Sequence, residues 1–255
     1  MAAPLTLTEE QIAWYQANGY LVMSDLLTQG EVDVFLAHEE DPATQGLRNG
    51  LRTHLTDSKW DYLARHPNVA GVASQLIEGQ PRIVQTMYLA KAPATEGKRK
   101  GGAGIAMHQD THYLPTEPNS LMACWIAMSD TDQGNGGLCV VPGSHKAELR
   151  STHLNKNDDH ASWETDHEMK SQDGRKWVQT FYSFTIDNID KENIVQLAVP
   201  RGSGVFFTSM TIHGSYANYS PDRSRLAFAV HYVREGSWVY RRDVQDTTLV
   251  ERYSG

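Results

Sequence analysis

The segment His108-Gln109-Asp110 carries the residue types of a metal site at a spacing that can build one. In an extended strand, residues i and i+2 point to the same face. His108 and Asp110 then present an imidazole and a carboxylate to one point. A second imidazole from a distant strand completes a two-histidine, one-carboxylate facial triad, which leaves the other face of an octahedral metal open. His-x-Asp alone also suits an ordinary hydrogen-bonded pair in a core or on a surface. The run from Phe206 to Ser215 adds weight, because an apolar strand there leads into a His213-Gly214-Ser215 turn. About one strand further on, Arg225 opens an alternating run that continues to Tyr232 and can reach back toward the metal. Its planar fork suits the far carboxylate of a dicarboxylate co-substrate. Arg223 shares that parity but falls in the turn-like stretch from Ser220 to Ser224, so strand position favours Arg225.

These residues need elements to hold them. Thr8-Glu9-Glu10-Gln11 and Thr28-Gln29-Gly30-Glu31 are capping boxes, each predicting a helix, the second through His38. Val69, Val72, Ala73, Leu76 and Ile77 mark one face of a third helix, ended by Gly79 and Pro81. From Arg82 the period changes. Ile83–Leu89, Leu121–Met128, Leu138–Val141, Ile194–Val199, Val205–Phe207 and Arg225–Val233 are predicted strands, separated by Gly, Pro, Asn and Asp clusters. Many short strands after a helical preface indicate a mainly β sandwich or small barrel rather than a βαβ fold. One domain over residues 1–255 is expected, with a helical part over 1–80 and a β core over 82–240. Two stretches stand apart. Pro93–Gly104 is a Gly- and Lys-rich loop. The segment 147–193 is polar with little periodicity, and is expected to be an irregular insertion that closes over the site as a lid.

Composition bounds the partners. A net charge of −8 argues against nucleic acid, which wants a basic face. No apolar run approaches a membrane span. Met1–Leu7 lacks the features of a signal peptide, so a cytoplasmic location is expected. Cys124 and Cys139 sit in apolar runs and are expected to be buried free thiols. Oligomeric state is not legible.

Several other residues draw the eye. His145 follows a Pro-Gly-Ser turn and is expected at the surface. His112 shares the parity of His108 and Asp110 if the strand continues, and could face substrate or pack. His231 shares the parity of Arg225, which suits a supporting or packing role. Trp125 is a core or pocket-wall aromatic. His153, His160 and His167 are spread through the polar insertion and are expected to be solvated.

The segments His108-Gln109-Asp110-Thr111-His112-Tyr113, Ala123-Cys124-Trp125-Ile126-Ala127-Met128, Asn135-Gly136-Gly137-Leu138, Pro142-Gly143-Ser144-His145 and His213-Gly214-Ser215 occur in that order. Together they resemble the phytanoyl-CoA dioxygenase family of 2-oxoglutarate-dependent oxygenases, over nearly the whole chain. The resemblance implies a double-stranded β-helix, or jelly-roll, with helices packed outside. It implies Fe(II) bound by His108, Asp110 and His213, with 2-oxoglutarate and O2 as co-substrates. Arg225 matches the co-substrate arginine and Ser215 a supporting donor. Gln85 and Tyr88 match a strand that also lines the co-substrate pocket. The interval from His213 to Arg225 is one residue longer than the family's, which keeps Arg223 as an alternative.

The implied reaction couples decarboxylation of 2-oxoglutarate to succinate with hydroxylation of an unactivated C–H bond. The carboxylate of Asp110 favours hydroxylation over chlorination, since related halogenases carry a small residue there. The polar insertion and the basic run Lys98-Arg99-Lys100 lean toward a small polar or anionic metabolite, for example an aminophosphonate such as 2-aminoethylphosphonate. Two rivals are a cupin-like metalloenzyme that does not use 2-oxoglutarate and a non-catalytic jelly-roll that binds a metal or ligand.

Overall fold

The structure, a computed structural model, describes residues 5–44, 50–96 and 100–251. The first helix, α1 (Glu9–Asn18), and the second, α2 (Gln29–Glu40), both begin with the expected capping boxes at Thr8 and Thr28. A helix that the sequence pattern did not announce, α3 (Ser58–Ala64), starts at Asp57, whose carboxylate accepts from the backbone N–H groups of Lys59 and Trp60. The last helix, α4 (Pro67–Leu76), buries Val69, Val72 and Ala73 as its apolar face requires. No helix among the described residues is long and apolar enough to cross a membrane.

The strands that frame the site are β1 (Tyr20–Met23), β2 (Pro81–Lys91), β3 (Ile105–His108), β4 (Met122–Ala127) and β5 (Leu138–Val140), followed by the hairpin β6 (Glu164–Lys170) and β7 (Lys176–Tyr182). After these come β8 (Val195–Gln196), β9 (Gly204–Thr208), β10 (His213–Ser215), β11 (Arg225–Arg234) and β12 (Thr248–Leu249). Six of them form a major sheet in the order β1-β9-β4-β11-β2-β12, and four a minor sheet in the order β8-β5-β10-β3. The pairings within both are antiparallel, and the fold is a jelly-roll.

Period-2 alternation divides the apolar residues between two cores. On β11, Phe228, Val230 and Tyr232 face the helices, where Phe228 meets Phe35 and Trp60 with ring centroids 5.5 Å away. Ala227 and Ala229 face the interior of the roll with Ala123, Trp125 and Phe207. The small alanines on that inner face leave room for a cavity. Both cysteines are buried free thiols.

Four expectations need correction. The Ile194–Val199 strand shrinks to the exposed pair β8 plus one bridge from Val199 to Thr131, because it lies at a sheet edge and Pro200 follows. The His213-Gly214-Ser215 turn is a strand, β10, wedged between β3 and β5. The helical preface contains β1, which pairs with β9 at the edge of the major sheet. The insertion is not irregular: β6 and β7 pair over seven residues each, from Glu164 opposite Tyr182 to Lys170 opposite Lys176. Its strands carry charges on their exposed positions, which hid the alternation, while Asp173-Gly174 at the tip supplies a turn signal with Gly174 at φ 91°.

Candidate metal and co-substrate site

His108 closes β3 and His213 opens β10, and the two are direct partners across that strand pair although 105 positions separate them (213 − 108). Their rings lie 4.3 Å apart, centroid to centroid. Between these strands Gly214 is needed for close approach, since a Cβ there would sit 2.8 Å from the Ile105 carbonyl oxygen and from the Met107 sulfur. Asp110 arrives differently from the expected strand alternation. Gln109 is extended, so the i, i+2 relation survives, but Asp110 begins a 3-10 turn through His112. The amides of Tyr113 and Leu114 both donate to the Asp110 carbonyl, which turns the chain and takes His112 off the strand. His112 therefore loses the shared parity. It packs 5.1 Å from Phe184 and makes a 2.9 Å hydrogen bond to the Arg150 carbonyl.

The turn is pinned to the loop before β10. Gln109 Nε2 donates to the Met210 carbonyl at 2.8 Å, the Thr111 hydroxyl donates to Ser209 Oγ at 2.8 Å, and the Thr111 amide donates to the Ser209 carbonyl. These bonds tie the two segments that carry the triad to each other.

The protonation pattern is set by the backbone. His108 Nδ1 lies 2.7 Å from the Ala106 carbonyl and His213 Nδ1 lies 3.0 Å from the Thr211 carbonyl. A carbonyl only accepts, so each Nδ1 carries the proton and each Nε2 offers a lone pair. Both Nε2 atoms point at Asp110 Oδ1, at 3.4 and 3.6 Å. One donor atom from each of the three buried residues lies within 4.8 Å of the others, an arrangement that can hold a metal ion. Burial pushes the His213 imidazole down to about 4, against the pull of Asp110, so it is neutral at physiological pH. Burial alone would raise the Asp110 carboxyl, but the imidazoles of His213, His108 and His231, wherever they carry the proton that faces it, outweigh burial and hold the group well below the usual carboxylate range.

His231 supports the carboxylate. Its Nε2 is 3.3 Å from Asp110 Oδ2, and its Nδ1 is 3.5 Å from Gln85 Nε2. With Gln85 donating to Nδ1, the His231 proton sits on Nε2 and goes to Oδ2, leaving Oδ1 to the two triad imidazoles. Gln85 thus acts behind His231.

A cavity runs from the triad into the roll, lined among others by Met87, Trp125, Phe207, Ser215 and Arg225. Arg225 is 2% exposed. Its Nη1 donates to the Leu89 carbonyl at 3.0 Å, its guanidinium stands 5.8 Å from the Trp125 ring centre, and its Nε has no partner among the described residues. Arg223 is elsewhere: exposed and bound by both nitrogens to Asp132. Tyr88 is a correction. Strand alternation turns it toward the helices, 5.7 Å from Phe35, while its neighbours Met87 and Leu89 line the cavity. Met87, Leu89 and Phe207 were missed as lining residues. Also missed was the buried Lys91, which stands behind the lining and whose Nζ donates to Ser215 Oγ at 2.8 Å. Its signal was available, because Lys91 shares the parity of Gln85 on one strand.

The insertion lies beside this site. Its Ile186 amide donates to the Met107 carbonyl and its Phe184 amide to the Tyr113 hydroxyl, and Tyr113 stands edge-on to His108 at 5.3 Å. His145 bonds the Gln16 carbonyl from a half-buried turn. His153 is half exposed beside Asp187, His160 is bridged to Gly104, and His167 packs on Phe181. Lys98 and Arg99 lie outside the described residues. Lys100 is engaged by Asp158 and Asp159.

The family model for phytanoyl-CoA dioxygenase (PhyH) matches residues 7–227. The chain is 24% identical to phytanoyl-CoA dioxygenase 1 of Oryza sativa subsp. japonica, covering 89% of each chain. It is 27% identical to the peroxisomal phytanoyl-CoA dioxygenase of Mus musculus, over 89% of this chain and 68% of the relative. Among solved structures it is similar to the non-heme alpha ketoglutarate dependent carbocyclase SnoK from nogalamycin biosynthesis. The TM-score is 0.71 at 22% identity, over 98% of this chain and 100% of that one. The epimerase SnoN, solved with Fe3+, alpha ketoglutarate and nogalamycin RO, gives a TM-score of 0.68 at 20% identity, over 91% and 85%.

Proposed function

The chain belongs to the phytanoyl-CoA dioxygenase (PhyH) family, and from that premise we propose that His108, Asp110 and His213 are its iron ligands and that it hydroxylates an unactivated C–H bond of a small polar metabolite. Its reaction class is that of the family: an Fe(II)- and 2-oxoglutarate-dependent dioxygenase. One observation carries the ligand assignment. Both histidines are tied through Nδ1 to backbone carbonyls, and both bare Nε2 atoms converge on one oxygen of a buried carboxylate. The donor set, two imidazoles and one carboxylate, fits a non-haem Fe(II) centre.

When bound, iron and 2-oxoglutarate supply the oxygen-activating chemistry, with succinate, CO2 and an oxidised substrate as products. The chain supplies position. Arg225 and Ser215 are placed to receive the far carboxylate, His231 orients Asp110, and Trp125 walls the cavity. The apolar lining excludes water from the reacting centre. The buried arginine, with no acid paired to it among the described residues, favours a dicarboxylate co-substrate over a cupin-like enzyme that uses none.

The substrate class rests on the polar insertion docked beside the triad, and 2-aminoethylphosphonate is the first compound to try. The test is anaerobic reconstitution with Fe(II), addition of 2-oxoglutarate, and then a succinate-release screen across small polar metabolites, aminophosphonates and acyl-CoA esters. A weak visible charge-transfer band on adding 2-oxoglutarate is expected, with one iron per chain. A folded, iron-loaded protein with no band and no succinate would sink the assignment. Turnover of acyl-CoA esters alone would sink the substrate class and leave the reaction class standing.

A further inference from the structure

Lys91, the last residue of β2, lies directly opposite Arg225, the first residue of β11. Both are buried, at 4% and 2% exposure. Like charges facing each other across a strand pair are destabilising, and burial magnifies the cost. No carboxylate among the described residues forms an ion pair with either one. A fold that needed only a hydrogen-bond donor at this place could use a neutral one.

The contacts of the amine are specific. Nζ donates to Ser215 Oγ at 2.8 Å, to the Gly136 carbonyl at 3.2 Å and to the Tyr216 carbonyl. Three acceptors use all three protons of an ammonium group. Because Ser215 accepts from Lys91, its own hydrogen stays available for donation. Ser215 and Arg225 line the same cavity as the triad. A hydroxyl donor and a guanidinium therefore converge on the cavity with a basic amine behind them, where an acceptor of negative charge suits all three.

We infer that Lys91 is a positioning residue of the co-substrate pocket: it fixes the Ser215 hydroxyl as a donor and stands behind it as a second cation for a bound carboxylate. The inference rests on the proposed use of 2-oxoglutarate at this site. It also predicts a proton change. Burial and the neighbouring Arg225 push the Lys91 amine down to about 6, with the Cys139 thiol on β5 pulling weakly the other way. The imidazole of His160, from the insertion, also feels Lys91. Those surroundings favour a neutral amine at pH 8, whereas the three acceptors call for an ammonium. A carboxylate set beside Arg225 and Ser215 resolves the conflict by raising the amine again, so binding takes up a proton.

The test is calorimetry of the anaerobic Fe(II)-loaded protein with 2-oxoglutarate at pH 8, in two buffers of different ionisation heat. The native chain is expected to take up about one proton per ligand bound. Lys91→Met, with iron content and circular dichroism unchanged, should lose that uptake and bind about tenfold or more weakly, as for loss of a charge-assisted hydrogen bond. Lys91→Met/Ser215→Ala should bind no more weakly than the stronger single loss, because one residue acts through the other. Affinity of Lys91→Met within about twofold of native, or fully additive losses in the double variant, overturns the inference. If Lys91→Met does not fold, the native proton count decides, and no uptake overturns it. A native chain that binds iron but not 2-oxoglutarate overturns the function proposal itself, a different result from a native chain that binds and a variant that matches it.

Discussion

Arg223 and Arg225 are two residues apart, one in the turn before β11 and one at the start of the strand, and the chain treats them in opposite ways. Arg223 grips Asp132 with two nitrogens, at 2.7 and 3.0 Å, and both side chains are more than 40% exposed. Such a surface pair contributes roughly 0–1 kcal/mol. Arg225 is buried, faces Lys91 and leaves its Nε without a partner among the described residues. Burial pushes its guanidinium down to about 10. An unpaired interior charge costs several kcal/mol, so a sequence that keeps one keeps it for something that arrives later. The surface turn is electrostatically finished within the chain. The mouth of β11 is left open within the chain, as the proposed co-substrate pocket requires. Charges completed at home mark stability, and charges left incomplete in the interior mark what a site receives.

The strongest way to break this contrast is at the triad. Asp110 is buried among three imidazoles, and if that cluster were complete without a metal, Asp110→Ala would leave metal binding intact. We expect instead that Asp110→Ala weakens Fe(II) binding by more than about a hundredfold, beyond the ~10–100-fold typical of losing an outer partner of a metal ligand. Hydroxylation should vanish with it. Metal titration followed by succinate release is the measurement, and retained iron affinity would remove Asp110 from the ligand set.

The two arginines come next. Arg225→Ala should weaken 2-oxoglutarate binding by at least about thirtyfold, the lower end of the ~2–5 kcal/mol lost with one partner of a buried charge pair. Iron should still bind. Arg223→Ala should change 2-oxoglutarate affinity by no more than a few-fold, and stability by roughly 0–1 kcal/mol. Reversal of the two effects would transfer the carboxylate clamp to Arg223 and dissolve the contrast.

Much of this was legible in the residues. The capping boxes at Thr8 and Thr28, the alternation of β2, β4 and β11, and the placing of Arg225 inside the strand and Arg223 in an exposed turn all follow from local rules that the fold obeys. What was hidden needed tertiary information. The pairing of His108 with His213 is a register fact, invisible from spacing. The 3-10 turn at Asp110 displaced His112, because hydrogen bonds to the Asp110 carbonyl ended the strand that alternation assumed. Tyr88 was assigned to the pocket by family likeness, and strand parity alone would have sent it to the helices beside Phe35. The β6–β7 hairpin escaped notice because Glu164, Asp166 and Glu168 occupy strand positions with charged residues. Lys91 escaped because the expected strand stopped at Leu89, two residues short of it, although its parity with Gln85 points it inward.

The smallest effect sharpens the contrast from the finished side. Glu31, in the first turn of α2, has its needs met within the chain. Its Oε2 accepts from the Thr28 amide at 2.8 Å and the Thr28 hydroxyl at 2.9 Å, and its Oε1 accepts from the Tyr62 hydroxyl at 2.7 Å. His66 Nε2 lies 3.1 Å from Oε1 while its Nδ1 accepts from the Asn68 amide, so the His66 proton also goes to Glu31. Partial burial alone would raise the carboxyl, but these bonds outweigh it and bring it down to about 2, from an ordinary 4.5. A carboxyl lowered by folding contributes stability that is fully present above 4.5 and is lost as pH falls from there through about 2. The group is partly open to water, so the contribution is modest. Glu31→Gln should cost about 1 kcal/mol at pH 7, a fall of about 2–4 °C in melting temperature for a chain of this size. The difference from the native protein should shrink steadily once the pH drops below 4.5. Affinity for 2-oxoglutarate should not move, since the carboxylate serves the helix and not the cavity. Urea unfolding of both chains at pH 7 and at pH 3.5, alongside calorimetric titration with 2-oxoglutarate, separates the two readouts. A variant that keeps native stability at pH 7 would mean that the Thr28, Tyr62 and His66 bonds do not hold α2 in place.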